Sequence, residues 1–184
     1  MHATTTEPPI LAAARTIAAE LDFGLPIKRA TLNAAMEAAF GVTNDTGLWT
    51  QRESFEALEA AIVMSLPRLL TGPPTEQLRK LMQIEASLPT HTVRSEDQHK
   101  LQQFSTPPSI AWLVAWLAQP SPEDVFLEPS AGTGLLAAFL EPRPPTTILN
   151  EFDATRAGIL AALYPDRWNG PAMAGVRGGG AWPN

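Results

Sequence analysis

The sequence has no cysteine. That excludes disulfides, thiolate zinc sites and cysteine nucleophiles, and it fits a reducing compartment. Histidine is almost as scarce. His2, His91 and His99 show no metal-ligand spacing, so no metal site is expected. There is no Gly-Lys-Ser/Thr run to cradle phosphates and no Gly-x-Ser-x-Gly elbow of a hydrolase. Long apolar runs are missing too. Ile110 to Ala118 is the longest and is far too short to cross a bilayer. Met1 to Glu7 has neither a basic start nor an apolar core, so no signal peptide is expected. These absences predict a soluble, cytoplasmic protein with no membrane partner. Positive charge is short as well: 13 Lys and Arg against 19 Asp and Glu, a net charge of −6. Phosphate contacts dominate DNA affinity and need a basic patch. Here Arg52, Arg68, Arg79, Lys80, Arg94 and Lys100 are scattered, which argues against tight DNA binding by this chain alone.

What is present is enough apolar material for a core. The chain has 184 residues, 45% of them hydrophobic, which suits one ordinary domain or a small one with an incomplete second. Residues 1–98 read as a helical region. Ile10, Ala14, Ile17 and Leu21 fall on one helix face, after Pro8 and Pro9 and before Gly24. Leu32, Met36 and Phe40 mark a second helix, with Gly41 beyond its end. Thr50-Gln51-Arg52-Glu53 is a capping-box pattern. It introduces a face of Phe55, Leu58, Ile62 and Leu66, and Pro67 is expected to stop that helix. Thr75 starts another helix through Leu78, Leu81, Met82 and Leu88, ended by Pro89.

Beyond residue 98 the pattern changes. Ser105-Thr106-Pro107 reads as a helix start with a hydroxyl cap, running to about Leu117. Val125-Phe126-Leu127 is a short strand. Pro129 to Thr133 is a loop, Gly134 to Leu140 a helix closed by Pro142, Pro144 and Pro145. Thr147-Ile148-Leu149 is a second strand and Ala154 to Leu163 a second helix. Strand, helix, strand and helix on such short connections predict a right-handed unit with parallel strands. Residues 165–184 hold Gly170, Gly175, Gly178, Gly179 and Gly180 without periodicity, and a disordered tail is expected. Trp112 and Trp116 are one turn apart; core packing is favoured over a base-stacking platform.

Glu128-Pro129-Ser130-Ala131-Gly132-Thr133-Gly134 lies between the first strand and its helix. Glycines there let backbone approach a ligand, and helix N-terminal amides favour its anionic or hydroxyl groups. Glu151 follows at the end of the second strand, where a carboxylate can accept two hydrogen bonds from a ribose diol. Gly132-x-Gly134-x-x-Ala137 also fits the dinucleotide fingerprint. Glu128 at the strand end, Pro129 after it, and Phe104-Ser105-Thr106-Pro107-Pro108 one helix earlier favour S-adenosylmethionine instead.

Taken together, Phe-Ser-Thr-Pro-Pro, then Leu-Glu-Pro-Ser-Ala-Gly-Thr-Gly, then Asn-Glu-Phe-Asp resemble motifs X, I and II of amino-group DNA methyltransferases, in the order and spacing of adenine-N6 enzymes and type I modification subunits. Arg94 to Gln98 and Gln102 to Pro107, with the helical region before them, are more similar still to bacterial strawberry-notch-like proteins, in which a methyltransferase-like region precedes a helicase-like part. The methyltransferase resemblance covers about residues 94–164, the second about 10–164. It implies an α/β chain: a helical N-terminal region (1–98), then an incomplete Rossmann-like methyltransferase fold (99–164). It implies S-adenosylmethionine as cofactor. Ser105 and Thr106 would contact its amino-acid end. Glu128, Ser130, Gly132 and Gly134 would form the loop around it, Glu151 would bind the ribose, and Phe152 would lie by the adenine.

One departure matters. The family's catalytic motif is Asp/Asn-Pro-Pro-aromatic, which holds the target amine and stacks the flipped base. The chain has none; Thr106-Pro107-Pro108-Ser109 and Arg143-Pro144-Pro145-Thr146 lack both the polar leader and the aromatic. The expectation is therefore a cofactor-binding portion that ends before its catalytic motif and transfers no methyl group alone. DNA would be met only through a downstream part or partner chain, a helicase-like region included. Two other readings stay open: a non-enzymatic remnant or interaction module, and a nicotinamide-dinucleotide binder. Plainer roles are also open: a tight turn for the glycines, a solvated acid at a helix start for Glu151, helix capping for Thr106, and a structural ion pair for Glu128.

Overall fold

Two prolines open the first helix: Pro8 precedes it and Pro9 takes its first position, where a missing N–H costs nothing. In the computed structural model, which describes residues 7–89, 105–140 and 146–165, α1 spans Pro9–Asp22 and α2 spans Arg29–Phe40. Gly41 closes α2 in the left-handed conformation, φ 72°, its N–H donating to the Glu37 carbonyl. A single 3₁₀ turn, Asn44–Thr46, leads to α3, Gln51–Leu69, followed by α4, Pro74–Ser87, and α5, Pro108–Ala118. Then come β1 (Val125–Glu128), α6 (Leu135–Ala138), β2 (Thr146–Leu149) and α7 (Ala154–Leu163).

The capping box predicted at Thr50 is formed. Thr50 Oγ1 accepts from the Glu53 N–H at 3.2 Å, and Glu53 returns the bond to the Thr50 N–H at 2.7 Å. Ile17, Leu32, Met36, Leu58, Ile62 and Leu66 are buried together between α1, α2 and α3. Full burial of each such side chain is worth about 1.5–3 kcal/mol. Trp49 closes the end of this core, its indole N–H donating to the Val42 carbonyl at 2.9 Å. The buried cluster continues past residue 98: Ala111, Trp112, Leu135 and Ile159 belong to it. A second cluster, Ala131, Ala137, Leu140, Leu149, Leu160 and Tyr164, packs α6 and α7 against β2.

The strands pair in parallel, Val125 opposite Thr146 through Glu128 opposite Leu149, as the alternation of elements predicts. Among the described residues the result is a helix-rich arrangement with one small parallel sheet. Thr147 and Leu149 face inward, whereas Val125, Leu127 and Ile148 stay exposed; parallel sheets are ordinarily covered on both faces.

Several expectations need correction. Pro67 does not stop α3, which continues to Leu69; within the last turn the one lost N–H bond is tolerated. Met82 is exposed, and Leu81 alone among α4 residues is fully buried. No hydroxyl caps α5. Pro107 stands at the cap position without a side-chain cap, because Ser105 lies two residues too early and is engaged elsewhere. The helix expected over 134–140 is a single turn, Leu135–Ala138. Trp112 is buried and donates to Gln77 at 3.0 Å, but its stacked neighbour Trp116 is 48% exposed. The 94–104 motif segment, Pro142, Pro144, Pro145 and the glycine-rich stretch from 166 lie outside the described residues.

Candidate functional site

The loop after β1 is stitched to the end of β2. The Asn150 N–H donates to the Glu128 carbonyl at 2.9 Å, and the Ala131 N–H donates to the Asn150 carbonyl at 2.8 Å. The Asn150 side chain adds a bond to the Pro129 carbonyl at 2.9 Å. This ladder carries the loop across the head of α7 and brings Gly132 to Glu151. The Gly132 N–H donates to Glu151 Oε2 at 2.7 Å, and the Asp153 N–H donates to Oε1 at 2.8 Å. Asp153 in turn caps α7, accepting from the Thr155 and Arg156 N–H groups at 3.0 and 3.1 Å.

The two loop glycines differ. Both have positive φ, 58° at Gly132 and 89° at Gly134, so both are conformationally suited to glycine. A Cβ at Gly132 would meet nothing nearer than Arg156 Nη1 at 4.0 Å. A Cβ at Gly134 would run into the Tyr164 ring and into Leu160 Cδ1 at 2.8 Å. The Tyr164 hydroxyl also donates to the Gly134 carbonyl at 2.8 Å. The room left by Gly134 is thus filled by α7 and the residue after it.

The remaining expected residues are more dispersed. Ser105 is exposed at the start of α5, yet its hydroxyl donates to Glu59 on α3. Thr106, Ser130 and Phe152 are exposed. The Glu128 carboxylate turns back on the Ser130 N–H at 3.3 Å. So Gly132 and Glu151 meet directly, and Ser105 joins them only through side chains that the sequence pattern did not single out.

Those side chains form a charge cluster between α3 and the loop. Glu56, 2% exposed, accepts from Arg156 Nε at 2.7 Å and from Arg52 Nε at 3.1 Å. Arg52 also reaches Asp153 at 2.6 Å. Glu59 accepts from Ser105 and from Thr133 Oγ1, the latter at 3.3 Å. Arg156 Nη2 donates to Ser105 Oγ at 3.5 Å. Arg52 and Arg156 thus hold Glu56 and Asp153, while Glu59 is held by hydroxyls and Glu151 by backbone N–H groups. Burial, reinforced by the Glu59 charge, pushes the Glu56 carboxyl up to about 7, against the pull of Arg156 and Arg52. Burial also raises Glu59. On Arg156 burial opposes the charge, but Glu56 and Glu59 outweigh it and hold the group above its ordinary value. One signal was available in the sequence: Arg52, Glu56 and Glu59 recur at i, i+4 and i+7, one stripe of a helix.

A cavity of about 920 Å³ opens elsewhere, among α1, α3 and the ends of α6 and α7, with Arg15, Asp22, Arg68, Trp112, Phe139 and Tyr164 in its walls. None of the eight residues expected to hold a cofactor lines it. Among the described residues there is no group of acids or histidines suited to a metal ion, and no helix long and apolar enough to cross a membrane. Comparison of the chain with protein-family models, with curated proteins and with solved structures finds no match.

Proposed function

We propose that this chain binds S-adenosylmethionine, as the cofactor-holding portion of an adenine-N6-type DNA methyltransferase-like protein built on an incomplete Rossmann-like fold. The observation that carries the reading is the 2.7 Å bond from the Gly132 N–H to Glu151. It puts the glycine loop beside the strand-end acid, the two parts from which a nucleoside-binding strand–loop–helix unit is built. The residues fit the group in one further respect: a Cβ at Gly132 would meet nothing nearer than Arg156 Nη1 at 4.0 Å, so the backbone there stays open to the cofactor's approach. When bound, that ligand supplies an electrophilic methyl group.

The chain's own residues would bind and orient. Glu151, whose oxygens each keep a second lone pair, would accept from the ribose hydroxyls. Ser105 and Thr106 would take the amino-acid end, Glu128, Ser130, Gly132 and Gly134 the loop side, and exposed Phe152 the adenine. Positioning of this kind carries a large share of a transfer reaction. No Asp/Asn-Pro-Pro-aromatic motif is present, so these 184 residues transfer no methyl group alone. DNA contact and the target-base pocket belong to a partner or a further region, a helicase-like one included.

A second reading has two observations behind it. Both Glu151 oxygens already hold backbone N–H groups, and α7 fills the room beside Gly134. A remnant that keeps the loop only as structure fits that equally closed arrangement. Titrating the chain with S-adenosylhomocysteine and, separately, with NAD decides. Homocysteine-nucleoside binding that Thr106→Val weakens supports the proposal. NAD binding indifferent to Thr106→Val indicates a dinucleotide site, and no binding by a cooperatively folded chain indicates the remnant.

A further inference from the structure

Glu59 stands on α3, in the helical region, and its two carboxylate oxygens have different partners. Oε1 accepts from the Ser105 hydroxyl, and Oε2 accepts from Thr133 Oγ1 at 3.3 Å. Ser105 leads into α5, whereas Thr133 sits in the loop after β1. They are 28 residues apart in the sequence and belong to the two segments assigned above to the cofactor's amino-acid end and to the loop around it. Thr133 is 2% exposed and lies between Gly132 and Gly134, both at positive φ. Backbone bonds tie Ala131 to Asn150 and Gly132 to Glu151, and the Tyr164 hydroxyl holds the Gly134 carbonyl. The Thr133 side chain adds a bond that ties this loop to the helical region, and Glu59 accepts it. Arg156 completes the brace: it bonds Glu56 at 2.7 Å and Ser105 at 3.5 Å, and its Nη1 lies 4.0 Å from the Cβ position of Gly132.

We propose that Glu59 is a positioning residue of the cofactor site, one carboxylate from the helical region that locks the Ser105 segment to the Gly132 loop in their binding arrangement. The inference rests on the function proposed above. It makes the helical region a working part of the site, since a loop fixed before the ligand arrives loses less freedom on binding.

The test is calorimetric titration of the full chain with S-adenosylhomocysteine, comparing Glu59→Ala with Glu59→Gln. Glutamine keeps both contacts, accepting from one hydroxyl and donating to the other. The expected result is affinity lower by about tenfold or more for Glu59→Ala, the scale of loosening a supporting contact behind a binding group. Glu59→Gln should stay within about threefold of the wild type, and both variants should melt cooperatively. Equal affinity for Glu59→Ala and wild type overturns the proposal, as does a loss that Glu59→Gln does not rescue. Where Glu59→Ala fails to fold, Thr133→Val, which removes the loop's bond to Glu59 and touches none of the residues assigned to the cofactor, must reproduce the loss, and unchanged affinity there also overturns it. If the wild type binds no S-adenosylhomocysteine, the proposed function fails, and amide hydrogen exchange then decides the brace by itself. Faster exchange over residues 131–135 in Glu59→Ala but not in Glu59→Gln upholds the locking role; identical exchange rejects it.

Discussion

Gly132 and Gly134 are two residues apart with the same backbone hand, yet they meet different surroundings. At Gly132 a Cβ enters open space; at Gly134 it strikes Tyr164 and Leu160. Gly132→Ala should therefore cost only the left-handed backbone term, about 1 kcal/mol. Gly134→Ala should cost about 2–4 kcal/mol, because overpacking adds to it. Urea denaturation of the two variants checks the order; equal losses would contradict the packing described at Tyr164. Charge gives a second contrast. Arg156→Ala removes the buried bond to Glu56 and the bond to Ser105 and should cost about 1–3 kcal/mol. Arg15→Ala, which breaks a surface pair with Glu7, should stay within about 0.5 kcal/mol. Glu56 also sets a pH dependence. Its carboxyl sits at about 7 in the folded chain against an ordinary 4.5, so the folded state keeps a proton that the unfolded chain has released. The stability tied to that proton is full below pH 4.5 and is lost as pH rises through 7. Glu59 is shifted in the same direction. The Tm should be higher at pH 5 than at pH 8, and Glu56→Gln should flatten much of the difference. A Tm that rises over this range would show that the carboxyl is ionised when folded.

At the scale of elements, the cap of α3 is the clearest case of sequence dictating structure. Thr50→Ala removes one half of a reciprocal pair and should cost about 1 kcal/mol in thermal or urea unfolding. A loss below about 0.3 kcal/mol would mean the capping box carries no weight. The start of α1 and the stop of α2 were legible because Pro8 and Gly41 act locally. The parallel strands were legible from alternation and connection length. What was not legible depends on residues distant in the chain. Pro67 was read as a stop by its own chemistry, whereas α3 carries it near the end of a helix held by α1. Ser105-Thr106-Pro107 reads as a hydroxyl-capped helix start, but the cap position falls to Pro107 and a carboxylate 46 residues before Ser105 takes its hydroxyl. The stripe Arg52, Glu56 and Glu59 reads as a solvated face until Arg156, 100 residues beyond Glu56, is packed against it.

The whole molecule joins its helical region to its strand–helix unit twice, by apolar contact and by charge. Leu135 and Ile159 share a buried cluster with Ile17 and Leu66, and Arg52 and Glu56 on α3 reach Asp153 and Arg156 on α7. Unfolding should thus follow one cooperative transition, with far-ultraviolet circular dichroism and tryptophan fluorescence changing together. Two separated transitions would mean that the cluster does not couple the parts. The same construction frames the functional reading. If the loop holds a cofactor as proposed, its bond to α3 makes the helical region part of that site, and the contact of Gly132 with Glu151 is its centre. The most direct measurement is calorimetric titration with S-adenosylhomocysteine of the wild-type chain and of Glu151→Ala. The account predicts saturable binding by the wild type that the substitution abolishes while cooperative melting persists. Absence of binding by the folded wild type, or binding that survives Glu151→Ala, would contradict it.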